Sequence, residues 1–236
     1  MLRPDTDRVW NFLKEQSSLS GFVLIGGSAL ALRIKHRVSE DLDFACLEEK
    51  LPRGKLDVLR RVAEQNNIEF QQDDDEAAVE DFVSGGMELH DYQQDYLVDR
   101  KVKVSFFTPE KTLKKVVNGG DDTCVRLATV EELFKTKCLV SALRSKTRDW
   151  LDLYVLLRDH GFTIRDYYQA FVDADVVSQC DIGLSRLCAG VVSKGDEGYS
   201  HLLSDAPSLE QMTEFFVDQR NRLEVELARE KAREDG

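Results

Sequence analysis

Phe22-Val23-Leu24-Ile25-Gly26-Gly27-Ser28-Ala29-Leu30-Ala31-Leu32-Arg33-Ile34-Lys35-His36-Arg37-Val38-Ser39-Glu40-Asp41-Leu42-Asp43-Phe44 is the stretch that decides the fold. The apolar, β-branched run at 22–25 reads as a buried strand. Gly26 and Gly27 permit a tight turn and close approach of a ligand to the backbone. Residues 28–35 read as a helix with an apolar stripe through Leu30 and Ile34. A turn that opens a helix in this way aims unpaired N–H groups and the positive helix end at one point, which suits phosphate. Asp41–Ala45 reads as the next strand. Alternate residues of a strand share a face, so Asp41 and Asp43 point one way while Leu42 and Phe44 enter the core. Two close carboxylates raise each other's pKa unless a cation lies between them. Mg²⁺ commonly takes one or two carboxylates together with substrate phosphates. Asp-x-Asp alone is common on solvated strand ends; joined in this order to Gly-Gly-Ser it points to nucleotide phosphate and a divalent metal.

A second block lies further on: Lys137-Cys138-Leu139-Val140-Ser141-Ala142-Leu143-Arg144-Ser145-Lys146-Thr147-Arg148-Asp149-Trp150-Leu151-Asp152-Leu153. The two blocks, in this order and spacing, resemble the signature of the AbiEii/AbiGii-type toxin nucleotidyltransferases, within the DNA polymerase β-like nucleotidyltransferase superfamily. The likeness spans roughly residues 20–160, and the last third of the chain carries no matching motif. The resemblance implies a role for each matched position. Gly26, Gly27 and Ser28 hold the triphosphate, with Arg37 and Ser39 beside them, and Asp41 and Asp43 bind Mg²⁺ (or Mn²⁺). Lys137 neutralises phosphate charge, while Arg148 and Asp149 sit near the reacting groups. It also implies an NTP substrate, an RNA acceptor (a tRNA end) or a protein acceptor, and a cognate antitoxin partner. One departure concerns the third carboxylate that superfamily catalysts supply from a later strand. The candidate strand is Lys101–Phe107, and Ser105 stands where the acid is expected, with Asp149 or Glu88 as substitutes. Two carboxylates make a weaker two-metal clamp than three.

Composition narrows the class. At 236 residues the chain can fill one large or two small cores. No apolar run approaches the ~18–20 residues that span a bilayer, and the segment after Met1 does not read as a signal peptide. Cys46, Cys124, Cys138, Cys180 and Cys188 are scattered without a Cys-x-x-Cys pair, which suits buried thiols in a reducing cytoplasm. The formal net charge of −12 opposes nonspecific nucleic-acid binding. An RNA acceptor therefore needs a local basic surface, either Lys111, Lys114 and Lys115 or Arg144, Lys146 and Arg148.

The expected architecture is α+β, a nucleotidyltransferase-like mixed sheet with flanking helices followed by a helical half. The α/β core covers 1–128, and the helical domain at 129–236 completes the active-site cleft. Helices are expected at 5–16, 55–66, from 129, from about 147, at 164–173, 179–192 and from 208 to about 233. Strands are expected at 68–70, 87–91, 95–98 and 101–107, with turns at 99–100 and 118–122. Thr129-Val130-Glu131-Glu132 and Ser208-Leu209-Glu210-Gln211 have the spacing of capping boxes. Three functions fit: a metal-dependent nucleotidyltransferase, a catalytically weak nucleotide sensor, and an interaction protein acting through a partner.

Overall fold

The computed structural model describes residues 1–121 and 123–234; Asp122, the last residue of the expected turn cluster, lies outside them. The chain divides into two compact units, Met1–Leu133 and Phe134–Gly236.

The first unit is built on a six-stranded mixed sheet of order β3-β4-β5-β2-β1-β6. Its strands are β1 (Phe22–Ile25), β2 (Leu42–Cys46), β3 (Phe70–Gln72), β4 (Gln93–Val98), β5 (Val102–Phe107) and β6 (Arg126–Leu127). β1 runs antiparallel to β2 and parallel to β6, and β2 runs parallel to β5. The helices of this unit are α1 (Pro4–Leu13), α2 (Gly26–Ile34), α3 (Arg53–Gln65), α4 (Glu76–Ser84) and the short α5 (Lys111–Lys114). Phe22, Phe44 and Phe106 are fully buried. Phe44 stacks on Phe106 at 5.1 Å between centroids, and Phe22 meets Phe106 edge-on at 5.6 Å, geometries that add to simple area burial. This cluster occupies the face of β2 opposite Asp43 and so fixes which way the carboxylate points.

Several boundaries differ from the sequence reading. The helix after β1 begins at Gly26 itself, so both glycines lie in its first turn. Lys35, in the left-handed conformation (φ 55°), ends it. Met87–Asp91 is not a strand; Leu89–Asp91 is a 3₁₀ turn. Asp91 there accepts from Lys50 and Arg53, and its carbonyl takes the Leu51 amide, so the segment is held by a loop and not by a ladder. Asp99 and Arg100, both at positive φ, make the tight turn between β4 and β5.

α6 (Val130–Ser141) contains the division between the units. The second unit continues with α7 (Thr147–Asp159), α8 (Ile164–Asp173), α9 (Cys180–Ala189) and α10 (Leu209–Glu234). α9 stops short of the expected Val192 because Gly190 turns left-handed at φ 62°. Both expected capping boxes form, with Thr129–Glu132 and Ser208–Gln211 exchanging backbone and side-chain bonds. Trp150, Tyr167, Phe171, Met212 and Phe216 are buried in this unit, and Phe134 stacks on Phe162 at 4.1 Å. All five cysteines are free thiols. No helix among the described residues is long and apolar enough to cross a membrane.

Candidate active site

In the first unit the sheet register assembles the site. Ile25, the last residue of β1, pairs with Asp43 on β2, so the strand hands directly into the Gly26-Gly27 turn beside the carboxylate. Gly26 has φ +75°, and a Cβ there would collide with the Asp43 carboxylate; only glycine permits both the conformation and the approach. At Gly27 a Cβ would stand 2.5 Å from an Arg37 guanidinium nitrogen and 3.2 Å from Ser39 Oγ. Ser28 Oγ donates to the Asp41 carbonyl, tying α2 to the segment that enters β2. Ser28, Arg37 and Ser39 are only 1, 4 and 6 % exposed. Their side chains brace the turn and offer little surface to a ligand. Ser39 is held further by its amide bond to the Met1 carbonyl at 3.0 Å. What faces outward is the backbone of Gly26 and Gly27 and the half-exposed Asp41 and Asp43, while Leu42 and Phe44 are buried between them.

That surface is acidic carboxylate beside a helix start, and its donor set fits a divalent cation whose remaining ligands come from phosphate and water. Among the described residues no group of three or more His, Cys, Asp or Glu is arranged to hold a metal by itself. Ser105 pairs directly with Asp43 on the neighbouring strand, and Asp95 pairs with Ser105 one strand further. The acid nearest in register is thus Asp95, which the sequence reading did not single out; its place in β4, opposite Ser105, was the available signal. Glu88 instead pairs with Arg53 at 2.9 Å.

The second block folds into a buried ionic cluster in the second unit. Lys137 Nζ lies 2.6 Å from Asp149 and 2.7 Å from Asp152, and Arg144 Nε lies 2.8 Å from the other Asp149 oxygen. Lys137 is 5 % exposed and Asp152 fully buried. Burial alone would push the Asp149 carboxyl up; the Lys137 and Arg144 charges and hydrogen bonds more than offset it and hold the group below the usual carboxylate range. Asp149 is therefore a firm anion and a poor proton acceptor. Arg148, in the first turn of α7, bonds the Gly198 carbonyl at 3.1 Å and Glu197 at 2.9 Å. Of the basic residues considered for RNA, Lys114 is spent on the Glu48 carbonyl, and Arg144 and Arg148 on acids.

Residues 11–232 match the profile of the family described as nucleotidyl transferase AbiEii toxin, Type IV TA system. An uncharacterized protein of Aquifex aeolicus is 25% identical over 145 residues, 61% of this chain, which spans only 62% of that relative's length. JHP933 of Helicobacter pylori superposes with a TM-score of 0.50 at 19% identity, covering 99% of this chain and 100% of that one. MenT4, a nucleotidyltransferase toxin of Mycobacterium tuberculosis, gives 0.56 at 14% identity, covering 89% and 81% respectively. A profile match running almost the length of the chain, over a fold that recurs in MenT4, means that this chain belongs to the AbiEii nucleotidyl transferase toxin family.

Proposed function

We propose that the chain is a divalent-metal-dependent nucleotidyltransferase. In this reading it moves NMP from an NTP to an RNA acceptor (a tRNA end) or a protein hydroxyl, in the cytoplasm, as the toxin of a pair with a cognate antitoxin. The observation that carries the reading is the locking of left-handed Gly26 against Asp43, which puts two carboxylates beside the opening turn of a helix. In the reaction the acceptor oxygen bonds to the α-phosphorus, the bond to the β-phosphate breaks, and pyrophosphate leaves; the hydroxyl proton goes to solvent. Such transfer depends on positioning and charge neutralisation more than on covalent catalysis.

The amides at the start of α2 receive phosphate oxygens. Asp41 and Asp43 would hold Mg²⁺, which supplies neutralisation of the phosphates when bound. Ser28, Arg37 and Ser39 keep the turn in shape. Arg148 binds phosphate by exchanging Glu197 for it, and Lys137 does so only by exchanging one of its two carboxylates. Asp149 serves as an anionic hydrogen-bond acceptor that orients Lys137 and Arg144, since its lowered pKa suits it poorly to general-base work.

The test is transfer of α-³²P from each of the four NTPs, with Mg²⁺, onto total cellular RNA and protein. Label on one species, lost in Asp43→Asn by at least ~10²-fold, supports the enzyme and identifies base and acceptor together. Saturable NTP binding without label favours the nucleotide sensor, a reading motivated by Ser105 standing beside Asp43.

A further inference from the structure

The last third of the chain, which carries no motif, contains a loop strapped across the start of α7. Ser193 donates its amide to the Ser145 carbonyl at 3.0 Å. Asp196 then closes the strap. One carboxylate oxygen accepts the Thr147 amide at 3.0 Å; the other accepts Thr147 Oγ1 at 2.6 Å and the Gly198 amide at 3.1 Å. Thr147 is buried and is the first residue of α7, so Asp196 caps from a distance a helix whose own N-cap residue, Lys146, contributes no side-chain bond. The same carboxylate fixes Gly198, whose carbonyl takes Arg148 Nε, with Glu197 and His201 touching the other end of the guanidinium at 2.9 and 3.5 Å.

We propose that Asp196 is a positioning residue: it sets the direction of the Arg148 guanidinium and the pitch of the first turn that presents Asp149. This rests on the phosphate-binding role proposed above for Arg148. A planar guanidinium recognises phosphate through two parallel N–H bonds and needs its orientation fixed beforehand. Glu197 is exposed and gives the guanidinium a loose anchor. The Gly198 carbonyl on Nε supplies the second point, and Asp196 holds that carbonyl in place.

The experiment measures KM for each NTP and kcat of transfer, together with thermal melting, for the full chain as wild type, Asp196→Ala, Asp196→Asn and Thr147→Val. Asp196→Ala is expected to raise KM about tenfold with kcat within about threefold, the pattern of lost ground-state binding. Asp196→Asn keeps one acceptor and lies between. Thr147→Val removes only the hydroxyl bond and raises KM about threefold, which preserves the test should the alanine variant fail to fold. Lower melting with KM unchanged overturns the inference in favour of a purely structural cap. A lower KM overturns it too, because loss of a negative charge near phosphate would then be the whole effect. Absence of transfer from any NTP by the wild type sinks the Arg148 reading and the inference together, a failure visible in the wild-type arm alone.

Discussion

The two units treat charge in opposite ways. In the first, Asp41 and Asp43 are half-exposed carboxylates of one sign, set on a sheet face whose reverse is packed with phenylalanine. In the second, Lys137, Arg144, Asp149 and Asp152 lie within 3 Å contacts that sum to neutrality, with three of the four buried. A half-exposed pair of like charges suits a bound cation, whereas a buried cluster of opposite charges contributes to one packed arrangement. Motif residues that look alike in a sequence thus divide into a half-exposed set and a buried set.

The comparison breaks first at Lys137. Lys137→Met leaves Asp149 and Asp152 facing each other without their shared cation and should lower stability by about 3–5 kcal/mol, read from urea unfolding at neutral pH. A loss under ~1 kcal/mol would mean that the cluster contributes no more than an exposed ion pair.

Glu132 sharpens the contrast, because it is an acid of the first unit handled in the manner of the second. Burial opposes its charge, but Arg126 and the amides of Asn118 and Thr129 outweigh that and bring its pKa from 4.5 down to about 2. A depressed carboxylate stabilises fully above its unfolded pKa, and that contribution disappears as pH falls through the folded value. The wild type should therefore lose about 3 kcal/mol between pH 5 and pH 2 from this group. Glu132→Gln should be less stable by a similar amount at pH 7 and flatter across that window, as denaturant titration at several pH values will report.

Asp43→Asn is the counter-case. Its ~10²-fold loss of transfer should come with a stability change within about 0.5 kcal/mol. Strong destabilisation would place Asp43 with the buried set. Gly26→Ala forces a Cβ into a left-handed position against Asp43. We expect about 1–2 kcal/mol of destabilisation and a shift in the metal concentration that supports half-maximal transfer.

The strand–turn–helix–strand of residues 22–46 was legible because its signals are local: alternation of Asp41, Leu42, Asp43 and Phe44, glycines at a break, and a short apolar run. Helix starts at Thr129 and Ser208 were legible for the same reason, each cap being written within four residues. What the sequence hid depends on partners far along the chain. Arg37 and Ser39 look like ligand contacts until Gly27 and the Met1 backbone close over them. The resemblance gives Lys137 a phosphate to neutralise and says nothing of the Asp149 and Asp152 carboxylates that lie against it from α7. β6 is two residues long and exists only because β1 lies beside it. Asp196 caps a helix start forty-nine residues before it, a separation that no local pattern encodes.

The bond from Ser28 Oγ to the Asp41 carbonyl spans thirteen residues, and β1 pairs with β2 on either side of it. Closing so short a loop is rapid and entropically cheap, whereas β5 and β6 reach β2 and β1 from much later in the chain. The segment bearing the glycine turn and both aspartates can therefore assemble as an early folding nucleus. Ser28→Ala should then slow refolding more than it speeds unfolding, giving a φ-value near unity in stopped-flow kinetics.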